Sequence, residues 1–530
     1  MKREHPALVL AHSGRSLNRA ATWLSETLER HKGAVLAVFS IAYFALTFYR
    51  ASRKLFWFDE LFTVYLSRLP DFKSVWHVLV NSVDLQLVLF LLTRFLEHIL
   101  GEGHIATRLP EILGFWVFCL CLFRFVSLRL SVLSACVSLL FPLVTGAYWY
   151  AYEARAHGIV LGFCGIALIS WQAAAEPAAR RGWWLFALGA SLAGALLTHS
   201  YAFLIFAPIV LGELCRTISR KRLDWPVWTT IAASSLAVLV SIPLVHGAIA
   251  AVTEVGSQGF FAASLGKIRI LYNGLLIPND ATILVGWLLL TCLFREETES
   301  ARDKSGLRSY EVFALWAFVA IPVFEYGAAN VTDVPFLSRY AISAIAGFAC
   351  LLGGAVGKRP ALAIATILLV VVQIGFDFKR FVSGTVLVEP SSGYQISTRI
   401  QEFNERYQWM AEDKTLPILL IDDLDFMTTS FYAPPAVASQ LIYVVWPNEG
   451  IIGELSSTLK ACCNAEPAVV GPADFLASHD TFLVYGGGRY AYRLGYFVKT
   501  GATVKTVREA GDHFMVLVTY PKKTAQESFR

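Results

Sequence analysis

Apolar runs about as long as a bilayer is thick recur along this chain, separated by short polar stretches. They fall at about 33–50, 109–128, 131–150, 157–175, 183–200, 201–217, 227–246, 281–294, 310–329, 339–356 and 361–376. A helix rises about 1.5 Å per residue, so roughly 20 apolar residues cross a hydrocarbon layer of about 30 Å. The pattern therefore predicts a polytopic α-helical membrane protein with about 11 transmembrane helices. Beyond residue 377 the period changes. LPILLID (416–422), QLIYVV (440–445), HDTFLVYG (479–486) and FMVLVTY (514–520) are short strand-like runs with helical stretches between them. They predict a C-terminal soluble α/β domain over 378–530 with a mostly parallel sheet. Gly486, Gly487 and Gly488 follow one of these runs and read as a turn rather than a phosphate loop.

Residues 84–100 (DLQLVLFLLTRFLEHIL) also look apolar, but they carry Asp84, Arg94, Glu97 and His98. The grouping of those polar residues predicts an amphipathic helix lying in the membrane interface rather than a span. The loop after the first span then runs from about 51 to 108, and long ordered loops are often functional.

Composition agrees with this division. Of 530 residues, 56% are hydrophobic and 16% charged, with a mean hydropathy of +0.54. Soluble domains carry about 25% charged residues, so a disordered chain, a nucleic-acid binder and an ordinary cytosolic enzyme are excluded. The placement of positive charge matters more than the net +5. A basic arm covers 1–32. Arg124 and Arg129, Arg180 and Arg181, Arg216 to Arg222, Arg295 to Arg308, and Lys358 with Arg359 occupy alternate connections. The positive-inside rule puts these on the cytosolic side. The loop 51–108, the connection with Glu153 and Arg155, the 247–280 loop and Asn330 to Arg339 then face outward. So does the C-terminal domain, which makes the expected location a plasma (inner) membrane with 378–530 extracytoplasmic. Seven of the nine cysteines lie in or beside apolar runs, and adjacent Cys462 and Cys463 form no metal-binding spacing.

The candidate chemistry gathers at the outward ends. FWFDELFTVYLS carries Asp59 and Glu60, which point about 100° apart on a helix, so one can face a cleft while the other faces neighbours. An acid at a partly dry interface suits a general base; the alternative is a solvated pair ending a helix. YWYAYEARAHG adds Tyr152, Glu153, Arg155 and His157, either an aromatic belt with an ion pair or an anion clamp. His199 in LLTHSYAF is structural or a pocket residue. Arg339 and Tyr340 in FLSRYAIS are a snorkelling pair or a phosphate contact, and Lys267 with Arg269 makes an unusual outward basic pair.

Taken in order, the acid pair after the first span, Y-x-x-E-A-R, T-H-S-Y and the late S-R-Y resemble the GT-C superfamily of polyprenyl-phosphate-sugar-dependent glycosyltransferases. The resemblance is to protein O-mannosyltransferases, the lipid A aminoarabinose transferase and their bacterial relatives, and it covers about 1–376. ATRLPEILGFWVFCLCLFRFVS (106–127) matches the same pattern. The family's Asp-x-His-Pro-Pro-type motif is replaced here by Ser82 to Leu87, and no proline follows Arg155. The resemblance implies a lipid-linked sugar donor and a glycan, glycolipid or protein acceptor. It places the loop-one acids on Asp59 and Glu60, the arginine after the third span on Arg155, and the late Arg-Tyr on Arg339 and Tyr340. The chemistry then asks for a base, Asp59, in an inverting displacement, with Glu60 or Glu153 orienting the acceptor or a cation. Arg155 and Arg339 would hold the phosphate, seconded by Tyr340, Lys267 and Arg269. Asp84, Tyr152, His157 and His199 would line the pocket. Asp59, Glu60, Asp84 and Glu153 could also hold a divalent ion such as Mg, Mn or Ca. The expected domains are the basic arm 1–32, a transmembrane domain 33–377 and the C-terminal domain 378–530. A transporter or flippase of a lipid-linked sugar and a non-catalytic envelope assembly protein are the alternative functions.

Overall fold

The computed structural model describes residues 20–80, 86–176, 180–240, 242, 263–276, 306–332, 336–357, 359–383, 407–412, 415–421, 423–444, 469–470, 472–511 and 513–521. It forms two compact units, Met1–Arg53, Leu85–Ile242 and Ser257–Ile396 in the first, and Lys54–Asp84, Pro243–Gly256 and Ser397–Arg530 in the second. Residues 54–84, expected within the loop 51–108 of a transmembrane domain, thus group with the C-terminal residues.

The first unit is helical. Among the described residues, five helices are long and apolar enough to cross a membrane: Lys32–Arg53, His104–Ser127, His157–Ala174, Ser200–Arg220 and Pro360–Val382. Ser309–Val319 and Ile321–Val331 form a sixth span only as a pair bent by 53°. Pro322 explains the bend, since it has no N–H to donate to Phe318 and its ring crowds that carbonyl. Val132–Val144, Trp225–Val240 and Ala344–Val356 are apolar but shorter. The expected run 131–150 is not one helix. It ends at Leu140 and continues as 3₁₀ turns over Phe141–Val144 and Gly146–Ala151, because Pro142 cannot continue the α-helical ladder. The expected span 281–294 and the pair Cys462–Cys463 lie outside the described residues.

Leu87–Leu100 is a helix of 14 residues, about 21 Å long and therefore too short to span. Its polar Thr93 and Glu97 are buried, and Thr107 donates to Glu97 Oε1 at 2.6 Å. Leu91, Leu92, Phe95, Ile99 and Leu100 are exposed. An apolar face turned outward fits lipid contact.

The basic loops meet at one end of the helical unit. Arg129 bonds Glu311 Oε1 and Glu176 Oε1 at 2.9 Å, and Arg308 pairs with Glu176 at 2.6 Å. Gln172 donates to Glu311 at 3.1 Å. Nearby in sequence, Arg181 and Arg216 both pair with Asp224, and Arg216 also holds Glu213, which accepts from Trp171 Nε1 at 3.0 Å. Gln172 lies in the last turn of helix His157–Ala174 with Glu176 just beyond it, and Arg181 starts the helix that ends at Thr198. The opposite ends of these two helices carry the site described below.

The second unit holds a six-stranded sheet in the order β3-β2-β1-β4-β6-β5. The strands are β1 Ile418–Leu420, β2 Leu441–Val444, β3 Val469–Val470, β4 Thr481–Gly487, β5 Thr503–Ala510 and β6 His513–Thr519. β1 lies parallel between β2 and β4, with Leu419 opposite Ile442 and Val484. β6 pairs antiparallel with β4 and β5. Leu419, Val484, Phe482, Phe497, Val516 and Val518 make the core of one face. Both alternations of β4 are buried, which is why its sequence reads as a continuous apolar run. The glycine triplet is not a separate turn: Gly486 and Gly487 pair with Phe514 and His513 within β4.

Candidate active site

Close helix packing builds the site in the helical unit. Helices His104–Ser127 and His157–Ala174 cross where a Cβ on Gly114 would lie 2.6 Å from Gly158 O, and one on Gly162 would lie 2.7 Å from Gly114 O. Only glycine permits backbones this near. The approach brings the fully buried Glu111 to the start of the second helix, where its Oε2 accepts the Ile159 N–H at 2.9 Å. A carboxyl at that position completes a helix N-terminus whose N–H groups otherwise lack acceptors.

The segment before His157 turns tightly, with the Arg155 N–H donating to Glu153 O at 2.8 Å. Glu153, Arg155 and His157 are all buried. The Arg155 guanidinium lies 5.8 Å from the Tyr150 ring, whose edge meets His157 at 4.6 Å. His157 lies 5.2 Å from His199, and His199 lies 5.5 Å from Tyr340. Tyr201 donates its N–H to His199 Nδ1 at 3.2 Å and stacks on Tyr340 with ring centroids 3.7 Å apart. The Arg339 guanidinium stands 5.3 Å from the Tyr340 ring. Three motifs far apart in the sequence, around 155, 199 and 339, therefore converge. The Arg155 and Arg339 guanidinium groups stand against Tyr150 and Tyr340, whose rings neighbour the His157–His199 pair, an arrangement able to bind an oxyanion and seat a ring.

Tyr152, expected in the pocket, lies instead against the buried Arg50. Arg50 is 5% exposed, and its guanidinium lies 4.9 Å from the Tyr148 ring, 5.6 Å from Tyr152 and 5.4 Å from Phe381. Lys267 and Arg269 lie on helix Leu265–Leu276, which is anchored through Leu271 against Ala329 and Phe336; Arg269 itself is exposed. Asp84 lies outside the described residues.

Sequence reasoning passed over Arg50, Glu111 and Glu325. Glu325 is fully buried in the bent span, and its Oε1 accepts the Leu337 N–H at 2.9 Å, two residues before Arg339. An acid inside an apolar run was the available signal for both carboxyls.

The acid pair belongs to the second unit, on helix Phe58–Ser67. Glu60 is fully buried, with Oε2 3.3 Å from Lys54 Nζ and accepting the Trp57 N–H at 3.4 Å. Asp59, one position earlier, is half-buried. Glu60 thus closes the start of its own helix, and Asp59 is the acid turned toward the surface. Among the described residues, no group of three or more His, Cys, Asp or Glu side chains is arranged to hold a metal ion.

No family model matches the sequence, and no curated protein does. Among solved structures, the chain is similar to ArnT from Cupriavidus metallidurans in the apo state, at 13% identity with a TM-score of 0.58, covering 92% of this chain and 98% of that one. It is also similar to ArnT from Cupriavidus metallidurans bound to undecaprenyl phosphate, at 14% identity with a TM-score of 0.55, covering 91% and 98%. The Archaeoglobus fulgidus oligosaccharyltransferase in complex with Zn and sulfate aligns with a TM-score of 0.35 at 12% identity, covering 87% and 69%. At these identities the likeness is one of fold. The polytopic helical fold is like that of ArnT.

Proposed function

We propose that this chain is a multi-pass membrane glycosyltransferase that moves a sugar from a polyprenyl-phosphate donor to an acceptor hydroxyl at the outer face of the plasma (inner) membrane. The observation that carries the reading is the run of close side chains from Arg155 through Tyr150, His157, His199 and Tyr340 to Arg339. The ArnT fold, seen elsewhere with undecaprenyl phosphate, supports it. In this reading about eleven helices span the membrane and the sheet unit is extracytoplasmic.

The reaction is a single displacement with inversion. Asp59 takes the proton from the acceptor hydroxyl as its oxygen bonds to the anomeric carbon, and the bond from that carbon to the phosphate oxygen breaks. The lipid phosphate leaves with the electron pair and needs no proton, being a weak base. Arg155 and Arg339 stabilise its charge, with Tyr340 as a wall and Lys267 and Arg269 as outer contacts. His157 and His199 shape the pocket, and Tyr152 and Asp84 are further proposed pocket residues. Glu153 orients the acceptor, while Glu60 holds the Asp59 helix.

The bent span with its buried Glu325 favours a second reading, because lipid and ion transporters use interrupted helices. Turnover separates the two. The purified chain in lipid nanodiscs, given a polyprenyl-phosphate sugar and acceptor, is expected to release polyprenyl phosphate. Asp59→Asn is expected to slow that release by about 10²–10⁴-fold while the thermal unfolding midpoint stays put. A wild-type chain that moves the donor across a bilayer without releasing lipid phosphate contradicts the transferase. An Asp59→Asn variant of full activity removes that residue from the role of base.

A further inference from the structure

The structure assigns the sheet unit a task beyond that of a docking module: it clamps the acidic helix of loop one through Phe431 and Tyr432, and so positions Asp59. Helix Asp423–Tyr432 begins just after β1 and ends on these two aromatic residues. Tyr432 Oη accepts the backbone N–H of Phe56 at 2.7 Å. The Phe431 ring meets Phe56 edge-on at 5.9 Å and 81°, and Tyr65 edge-on at 6.1 Å and 86°. Tyr65 and Phe56 bracket Asp59 and Glu60, so the clamp grips both sides of the acid pair.

The contacts answer specific physical demands. Phe56 is 2% exposed and lies in the non-helical link before Phe58, so no helical carbonyl receives its N–H. A buried donor without an acceptor is costly, and the Tyr432 hydroxyl supplies one. Edge-to-face rings are directional and resist sliding. On the other side of Phe56, the buried Lys54–Glu60 pair ties the link to the first helical turn. Asp59 stands in that turn, next to Glu60, so a shift of Phe56 is passed to its carboxylate. Tyr432 and Phe431 are positioning residues in this account. The assignment of Asp59 as their cargo rests on the transferase reading; the clamp itself does not.

The experiment uses the full-length chain in nanodiscs and two readouts, amide hydrogen exchange over 54–67 and kinetics of lipid phosphate release. Tyr432→Phe keeps the ring, which packs edge-on against Phe431 at 4.9 Å, and removes the acceptor. Phe431→Leu keeps the hydroxyl and removes the edge contacts. Each is expected to speed exchange at Phe56 and the first turn of the helix by roughly two- to tenfold, the effect of losing one hydrogen bond or its equivalent. Each is also expected to lower kcat on the order of tenfold with the donor KM unchanged. Phe482→Leu serves as a comparison, because it loosens the sheet core away from the clamp; it should lower thermal stability and leave kcat intact. Unchanged exchange in both clamp variants overturns the clamp. Faster exchange with unchanged kcat, or an equal kcat loss in Phe482→Leu, overturns positioning. A wild-type chain that releases no lipid phosphate sinks the transferase reading instead, and exchange alone then decides the clamp.

Discussion

Asp59 and Glu60 are neighbours in sequence with opposite fates. Glu60 is enclosed by Lys54 and the Trp57 N–H, and Asp59 keeps partial access to solvent. A similar contrast appears in the ion pairs at the far end of the helical unit, where Asp224 ties Arg181 to Arg216. Burial raises the Asp224 carboxyl, but hydrogen bonds and charge from both arginines outweigh it and hold the group below the ordinary aspartate range. A depressed folded pKa gives stability that is present above the unfolded value of about 3.9 and is lost as pH falls through the folded value. Asp224→Asn should therefore lower the thermal midpoint at neutral pH, with the gap to wild type closing below about pH 4. A gap of constant size down to pH 3 would show that the charge of Asp224 is not what stabilises this junction.

At the scale of elements, the site depends on backbones that nearly touch. A Cβ on Gly158 would lie 2.6 Å from Glu111 Oε2, 2.7 Å from Glu111 O and 3.0 Å from Tyr150 O. Gly158→Ala must push the His157 helix away from both the Glu111 carboxyl and the Tyr150 turn. Overpacking of this kind costs about 1–3 kcal/mol. The expected outcome is a lower unfolding midpoint in detergent together with weaker donor binding; an unchanged midpoint would mean that the helices are not in this contact. Most elements were legible because their periods are strong: apolar runs as long as a bilayer gave helices, and four strand-like runs became β1, β2, β4 and β6. The misses have local causes. β5 (TVKTVREA) carries Lys505, Arg508 and Glu509 at a sheet edge, where charge discourages further pairing and erases the strand pattern. β3 has only two residues. Pro142 and Pro322 interrupt runs whose composition alone reads as continuous.

At the scale of the whole molecule, the alternating basic loops gave the grouping of helix ends. Arg129, Glu176, Arg308 and Glu311 do meet, and Arg155, His157, His199 and Arg339 meet at the opposite ends of the same helices. Their convergence could be anticipated from the ordered motifs, since each sits at the mouth of a run. The aromatic surroundings of Arg50 could not, because they arise from contacts between helices that no local pattern encodes, while Glu111 and Glu325 carried only the signal of an acid within an apolar run. The central proposal is that Arg155 and Arg339 receive the lipid phosphate of the donor. A density map of the membrane-embedded chain with undecaprenyl phosphate tests it most directly. The account predicts phosphate within hydrogen-bond distance of both guanidinium groups, beside His157 and His199. A phosphate bound elsewhere, with both arginines left to protein partners alone, would contradict it.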